Sequence, residues 1–436
     1  MTYDELLDKI EEYLPVRENE KDKFGEVFTP PILINELLDQ LPKYVWTDPT
    51  LKWLDPASGT GNFFMLVFYR LMTGLAKKIP NKNKRSNHIL QNMLYMVDIN
   101  PKNIKIALTI FGKDSNIQCA DFLLQHNNNN NKEEQTYDII IGNLPFNEET
   151  NENNKKTVAL WPKFVIKSLE ILNTNGFLAF IHPPNWRSPD NKTNLWKLLT
   201  HKHILYLHIY GPEETKELFH VNTKVDLYVL QNKQINKNQK TTVIDELGKK
   251  HQLHLPDLPF LSNYKIKEMT HLLTINNNNN NNNLKVIYNT FYSTSTTKEI
   301  KNNTFKYPVI SSITNGNKIH LRYTDSNKNG HFNISKVIIN GGRYPYPYND
   351  YAGKYGMSQN VFAIPIAFKK QGDDIVKALN SVEFNAILKA AKWTTFAIDY
   401  KLFKHFKSDF YKYFIKKDNI TLRNSSKKKS KQTRKK

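Results

Sequence analysis

Short apolar runs alternate with helical segments through the first half of this 436-residue chain. "LKWLDPA" reads as a strand, followed by a glycine turn and the helical run "NFFMLVFYRLMTGLAKK". "MLYMVDIN" is a second strand, with a helix after Pro101, "NIQCADFL" a third and "YDIIIGN" a fourth. "LWPKFVIKSLEILN" has helical spacing and "GFLAFIHP" is the next strand. The run Ile139–Ile141 has no polar face, as a strand buried on both sides of a parallel sheet requires. The alternation predicts an α/β fold with a Rossmann-like doubly wound sheet, in which ligands bind beyond the carboxyl ends of the strands.

Those ends carry the chemistry. The first strand runs into Asp55-Pro56-Ala57-Ser58-Gly59-Thr60-Gly61-Asn62-Phe63. The two glycines allow a tight turn and close approach of a ligand to backbone, and the helix behind them offers free N–H groups. This loop lacks the third glycine of the dinucleotide fingerprint and the Gly-Lys-Ser/Thr of the phosphate-binding loop. The second strand ends in Asp98, an acceptor for ribose hydroxyls. The third ends in Ala120-Asp121-Phe122, where a carboxylate could take an adenine amino group. The fourth ends in Asn143-Leu144-Pro145-Phe146. Each acid alone reads equally well as a helix cap or a solvated turn. Four successive strand ends, each with a suitable group, point to a ligand.

Bulk properties narrow the partners. Lys and Arg number 62 against 41 Asp and Glu, a formal charge of +21, which favours a polyanion. The single cysteine, Cys119, excludes an internal disulfide, and its place in the third strand predicts a core residue. The N-terminal "MTYDELLDKIEEYLPV" reads as an acidic amphipathic helix, not a signal peptide, and no apolar run is long enough to span a bilayer. A soluble intracellular protein is expected, cytoplasmic, or nuclear if the basic tail is a localisation signal. No metal-ligand cluster is apparent.

Asparagine tracts at Asn127–Asn131 and Asn276–Asn283 are too polar for a core and mark loops or linkers. The longer one divides the chain into a catalytic domain at 1–245, a linker at 246–283, a second domain at 284–420 and a basic tail at 421–436. The second domain mixes β-forming segments with the helical "DIVKALNSVEFNAILKAAKW". Its "GGRYPYPYNDYAGKYG" interleaves Arg343 with Tyr344, Tyr346, Tyr348 and Tyr351, a composition suited to phosphates and bases. In the first domain "HPPNWRS" places Asn185 and Trp186 after a core strand, where they could line a base cleft or simply form a rigid proline turn.

With these residues in view, the chain resembles the S-adenosylmethionine-dependent amino-methyltransferases that modify adenine in DNA. "LDPASGTGNFF" is similar to the family's cofactor loop and "NLPF" to its Asn-Pro-Pro-Tyr/Phe catalytic tetrapeptide. Phe28-Thr29-Pro30-Pro31 resembles the family's Phe-x-Thr-Pro element. The order of the three motifs, with a C-terminal recognition domain after them, is the gamma arrangement of restriction-modification methylases. The resemblance implies S-adenosylmethionine as cofactor. Thr29 and Pro30 would contact its methionine end, Asp55, Pro56, Ala57, Gly59, Gly61, Asn62 and Phe63 would border its amino acid, Asp98 its ribose, and Asp121 with Phe122 its adenine. It also implies double-stranded DNA as partner, a monomeric enzyme, and a separate cognate endonuclease for any cleavage.

The chemistry favours the same residue types. An exocyclic amino group is a poor nucleophile because its lone pair is conjugated with the ring. The Asn143 side-chain oxygen and the Leu144 carbonyl could hold its hydrogens and draw the nitrogen toward tetrahedral geometry, a task for placed dipoles. Phe146 would stack on a flipped base. Cytosine C5 methylation needs a nucleophilic cysteine, which "QCAD" does not supply. Cytosine N4 enzymes usually begin the catalytic motif with Ser or Asp, so Asn143 leans to adenine. Leu144 in place of the usual proline is also the spelling of rRNA adenine dimethylases, which leaves an RNA adenine-N6 methyltransferase as an alternative. A non-catalytic nucleic-acid-binding relative is a second.

Overall fold

A computed structural model of the chain describes residues 29–124, 135–147, 158–189, 193–219, 223–274, 282–393 and 400–415. The expected N-terminal helix, the first asparagine tract, most of the second and the basic tail lie outside these residues. The chain divides into two compact units, with the main boundary between Pro256 and Asp257.

The first unit is built on one nine-stranded sheet. Its strands are β1 (Trp53–Asp55), β2 (Leu94–Asp98), β3 (Asn116–Cys119), β4 (Tyr137–Asn143), β5 (Leu172–His182), β6 (Lys202–Tyr210), β7 (Val225–Gln234), β8 (Thr241–Ile244) and β9 (Lys250–Leu253). Their spatial order is β3-β2-β1-β4-β5-β7-β6-β8-β9. The first five run parallel, and β7 is antiparallel to both β5 and β6. The chain winds outward from β1 to β3 and then returns to place β4 on the other side of β1, so strand order reverses between β1 and β4. The predicted Rossmann-like sheet is therefore present, with β1 and β4 at its switch point.

Both central strands are buried on both faces, as their apolar runs require. Helix α1 (Pro31–Asp39) buries Leu33, Ile34, Leu37 and Leu38, and α2 (Asn62–Gly74) buries Phe63, Phe64, Met65, Val67, Phe68, Leu71 and Met72. Helix α3 (Lys82–His88) precedes β2, and α4 (Pro101–Phe111) follows it. Proline occupies the first turn of α4, the Asn100 side chain accepts from Lys102 N at 3.0 Å, and Gly112 closes the helix at φ 94°. Helix α5 (Trp161–Ile171) crosses from β4 to β5.

Polar contacts lock α1 in place. Glu36 accepts from Tyr206 Oη at 2.7 Å, from His208 Nδ1 at 2.6 Å and from Tyr210 Oη, all on β6. Burial pushes the Glu36 pKa up, but the hydrogen bonds from His208, Tyr210 and Tyr206 outweigh it, so the carboxyl titrates below the usual range.

The second unit is mixed α+β. One sheet has the order β10-β16-β13-β14, from β10 (Ile287–Tyr288), β13 (Lys336–Asn340), β14 (Pro347–Asp350) and β16 (Val361–Pro365). The other runs β12-β11-β15, from β11 (Tyr307–Thr314), β12 (Lys318–Thr324) and β15 (Gly356–Met357). Three helices accompany them, α6 (Ile266–Leu272), α7 (Lys369–Leu379) and α8 (Val382–Ala390).

Two expectations are corrected. Residues 246–283 are not simply a linker: Lys250–Leu253 is the edge strand of the first sheet and Ile266–Leu272 is a helix of the second unit. The chain continues into a β8–β9 hairpin because "TTVI" and "HQL" alternate across a turn at Gly248. Cys119 is exposed rather than buried, because β3 is the outermost strand of the sheet.

Gly142 is fixed by packing. A Cβ there would lie 2.9 Å from Asp55 Oδ1 and 3.7 Å from Pro56 Cδ. Gly142→Ala must therefore push β4 away from β1, and overpacking of this kind costs about 1–3 kcal/mol. A lowered urea midpoint is the expected result; an unchanged one would show that the two strand ends are not in contact.

Candidate active site

The loop after β1 is tied to the end of β2. Ser58 N donates to Val97 O at 3.0 Å, and Gly59 N donates to Asp98 Oδ2 at 2.9 Å. Gly59 and Gly61 adopt φ 54° and 95°, left-handed values that favour glycine. At Gly61 a Cβ would also lie 2.5 Å from the Phe111 ring. The Ser58 hydroxyl is buried and has no hydrogen-bond partner among the described residues.

Asp55 is 1 % exposed, and Oδ1 accepts from Ala57 N at 3.1 Å. Burial raises its pKa well above the usual carboxylate range, and the negative charge of Asp98 raises it further. Asp98 is half-buried; its Oδ1 accepts from Asn100 N at 2.8 Å and from Asn103 Nδ2 at 3.3 Å. Both carboxylates thus flank the glycine loop. Beside them Ile99 is 70 % exposed, an apolar surface at the strand end that the sequence reading did not single out.

At the third strand end, Asp121 Oδ1 accepts from Leu123 N at 2.8 Å and stands half-buried. Phe122 is buried, with its ring stacked on Phe164 at 5.3 Å and Lys167 Nζ 5.4 Å from its centroid. Its ring is a packing element, so an adenine contact falls to Asp121. Phe63 is likewise buried in the core. Pro56 is buried, while Pro30, Ala57 and Asn62 are half-buried at the rim.

The fourth end carries the tetrapeptide. Asn143 pairs with Ile181 of β5, and Leu144 N donates to Ile181 O at 3.1 Å. Asn143 Nδ2 donates to Thr29 Oγ1 at 3.1 Å. Asn143 Oδ1 is buried and has no hydrogen-bond partner among the described residues. A buried amide oxygen left without a donor is costly and marks a place where a ligand donor fits. Pro145 and Phe146 are half-buried, and Phe146 O accepts from Leu160 N at 3.0 Å.

The remaining predicted residues divide. Trp186 is fully buried and its indole donates to Asp226 Oδ2 at 2.7 Å, so it is a core residue and not the wall of a base cleft. An aromatic nest of Trp161, His182, Trp196 and Tyr228 recruits it there. Asn185 is half-buried. In the second unit Arg343 and Tyr344 are exposed, with the guanidinium 5.6 Å from the Tyr344 ring. Lys392, which no sequence signal marked, donates to Arg343 O at 2.9 Å and lies 5.9 Å from the same ring. Tyr346 and Tyr348 pack instead on the core of that unit.

Residues 3–318 match the model of the N-6 DNA Methylase family. The chain belongs to this family. A 77-residue segment is 40% identical to an uncharacterized adenine-specific methylase of Mycoplasma pneumoniae, covering 17% of this chain and 18% of that protein. Among solved structures, the fold is similar to that of a nuclease-deletion mutant of the Type ISP restriction-modification enzyme LlaGI, solved with a DNA substrate mimic. That match has a TM-score of 0.54 and 13% identity, and covers 93% of this chain and 48% of LlaGI. The chain thus spans about half the length of that solved relative and a smaller part of the curated one.

The buried Asp55 gives a pH test. Its raised pKa means that the folded chain binds a proton which the unfolded chain has released above the ordinary value of 3.8. Stability therefore falls as pH rises from there through the folded pKa. Asp55→Asn, which cannot ionise, should be more stable than wild type at pH ~8, with the gain shrinking toward pH ~4. Denaturant midpoints at both pH values measure this, and a variant less stable at the higher pH would contradict it.

Proposed function

We propose that the chain is a site-specific DNA methyltransferase that methylates the N6 amino group of an adenine flipped out of the duplex. The observation that carries this is the buried, unpartnered Oδ1 of Asn143 at the carboxyl end of β4, beside the glycine loop of β1. Membership of the N-6 DNA Methylase family supports the same assignment.

The loop fits S-adenosylmethionine. Gly59 and Gly61 bring backbone close to a ligand at the start of α2, the Ser58 hydroxyl has a hydrogen bond to give, and the exposed Ile99 offers an apolar face for a base. Asp55, disfavoured as an anion while buried without a cation, would hold the positively charged amino-acid end, and Asp98 the ribose. When bound, the cofactor supplies an electrophilic methyl group.

Asn143 Oδ1 and the Leu144 carbonyl then accept the two hydrogens of the adenine amino group. Holding them frees the nitrogen lone pair from conjugation and aims it at the methyl carbon. Pro145 fixes the backbone, and Phe146 stacks on the base, a contact worth about 1–3 kcal/mol. The N6 proton leaves to solvent after transfer, with no covalent enzyme intermediate.

The second unit is the target-recognition domain in this reading. Arg343, Tyr344 and Lys392 form an exposed cation–aromatic cluster suited to phosphate and base contact, and the charge of +21 favours DNA. The chain acts as a monomer, and cleavage belongs to a separate endonuclease.

Asn143→Ala should lower methyl transfer by at least about 10²–10³-fold, the usual cost of removing one placed dipole. Binding of S-adenosylmethionine, read by calorimetry, should persist. Full activity of the variant would overturn the assigned site.

A further inference from the structure

We infer that Thr29 is a positioning residue whose hydroxyl holds the Asn143 amide with its oxygen toward the target amino group. This rests on Asn143 being the residue that grips the adenine. The two are 114 positions apart in sequence, yet Asn143 Nδ2 donates to Thr29 Oγ1 at 3.1 Å. The other end of the same amide, Oδ1, is buried without a partner among the described residues.

An asparagine amide is a two-fold rotor with opposite hydrogen-bonding character at its ends. Turned by half a revolution, it would present two N–H donors to an amino group that is itself a donor, and the grip would become a repulsion. Something must choose between the two orientations. The Thr29 oxygen does so by accepting from the NH2 end.

Thr29 is suited to this task rather than to the cofactor contact that the family resemblance implies for it. It is 3 % exposed, so its side chain does not line an open cavity, and its hydroxyl is engaged by Asn143. Its own position is fixed by the helix that follows it. Pro30 O accepts from Leu33 N at 3.0 Å in the first turn of α1. Glu36 fastens α1 to β6 through Tyr206, His208 and Tyr210, and Arg70 of α2 donates to Asn35 Oδ1 at 2.8 Å. A continuous brace therefore runs from β6 through α1 and Thr29 to the catalytic amide. The N-terminal motif and the catalytic motif act as one device.

The test uses the full chain, tritiated S-adenosylmethionine and a duplex carrying a mapped target site. Thr29→Val keeps the shape and removes the acceptor; Thr29→Ser keeps the acceptor. Valine should lower the single-turnover rate by about 10²-fold, the scale of a misplaced catalytic group, with the KM for S-adenosylmethionine changed by no more than about 3-fold. Serine should restore the rate to within about 3-fold of wild type. Adding Thr29→Val to Asn143→Ala should cause no further loss, because the brace acts only through that amide. Should the valine variant not fold, Thr29→Ala carries the same expectations. A raised KM with the rate intact, or a further loss in the double variant, would overturn the inference and return Thr29 to the cofactor. A wild-type rate for Asn143→Ala alone would instead overturn the site assignment on which it rests.

Discussion

The contact between the ends of β1 and β4 is the constraint on which the catalytic unit depends. A side chain on Gly142 would begin 2.9 Å from the Asp55 carboxylate, so the two strands can come together there only around a glycine. Parallel pairing of Leu54 with Ile140 sets the register. That register delivers the glycine loop and the Asn143 tetrapeptide to the same side of the sheet. Everything chemically notable in the unit sits within a few residues of this junction.

Electrostatics at the junction are left incomplete on purpose of function. Asp55 is buried beside Asp98 with one backbone donor on its Oδ1, and Asn143 keeps one amide oxygen without any. Both are arrangements that a fold selected for stability alone would avoid, since buried charges want cations and buried acceptors want donors. A ligand with a positive end and a substrate with two N–H groups answer both demands. Strain is thereby placed where binding relieves it.

Much of this was legible in the residues. Parallel strands buried on both faces write themselves as unbroken apolar runs, which is why "DIIIG" and its neighbours could be ordered along the chain. Strand ends in an α/β sheet converge, so Asp55, Asp98, Asp121 and Asn143 could be grouped before any coordinates. What remained hidden depended on lateral order and side-chain packing. Cys119 is exposed because β3 is an edge, and no local pattern reports which strand is outermost. Trp186 and Phe122 are buried because other aromatic side chains reach them from distant segments. Lys392 joins Arg343 and Tyr344 only through folding of the second unit. The Thr29–Asn143 hydrogen bond spans 114 residues and has no sequence signature at all.

The central claim concerns a reaction, its target atom and its polymer, and one measurement addresses all three. DNA from cells expressing the chain, sequenced as single molecules so that modified bases are detected, should carry N6-methyladenine at one short sequence in nearly every copy. The same DNA from cells without the chain should lack it. Unmodified adenines, modification confined to cytosine, or methyl label recovered only in RNA would contradict the account.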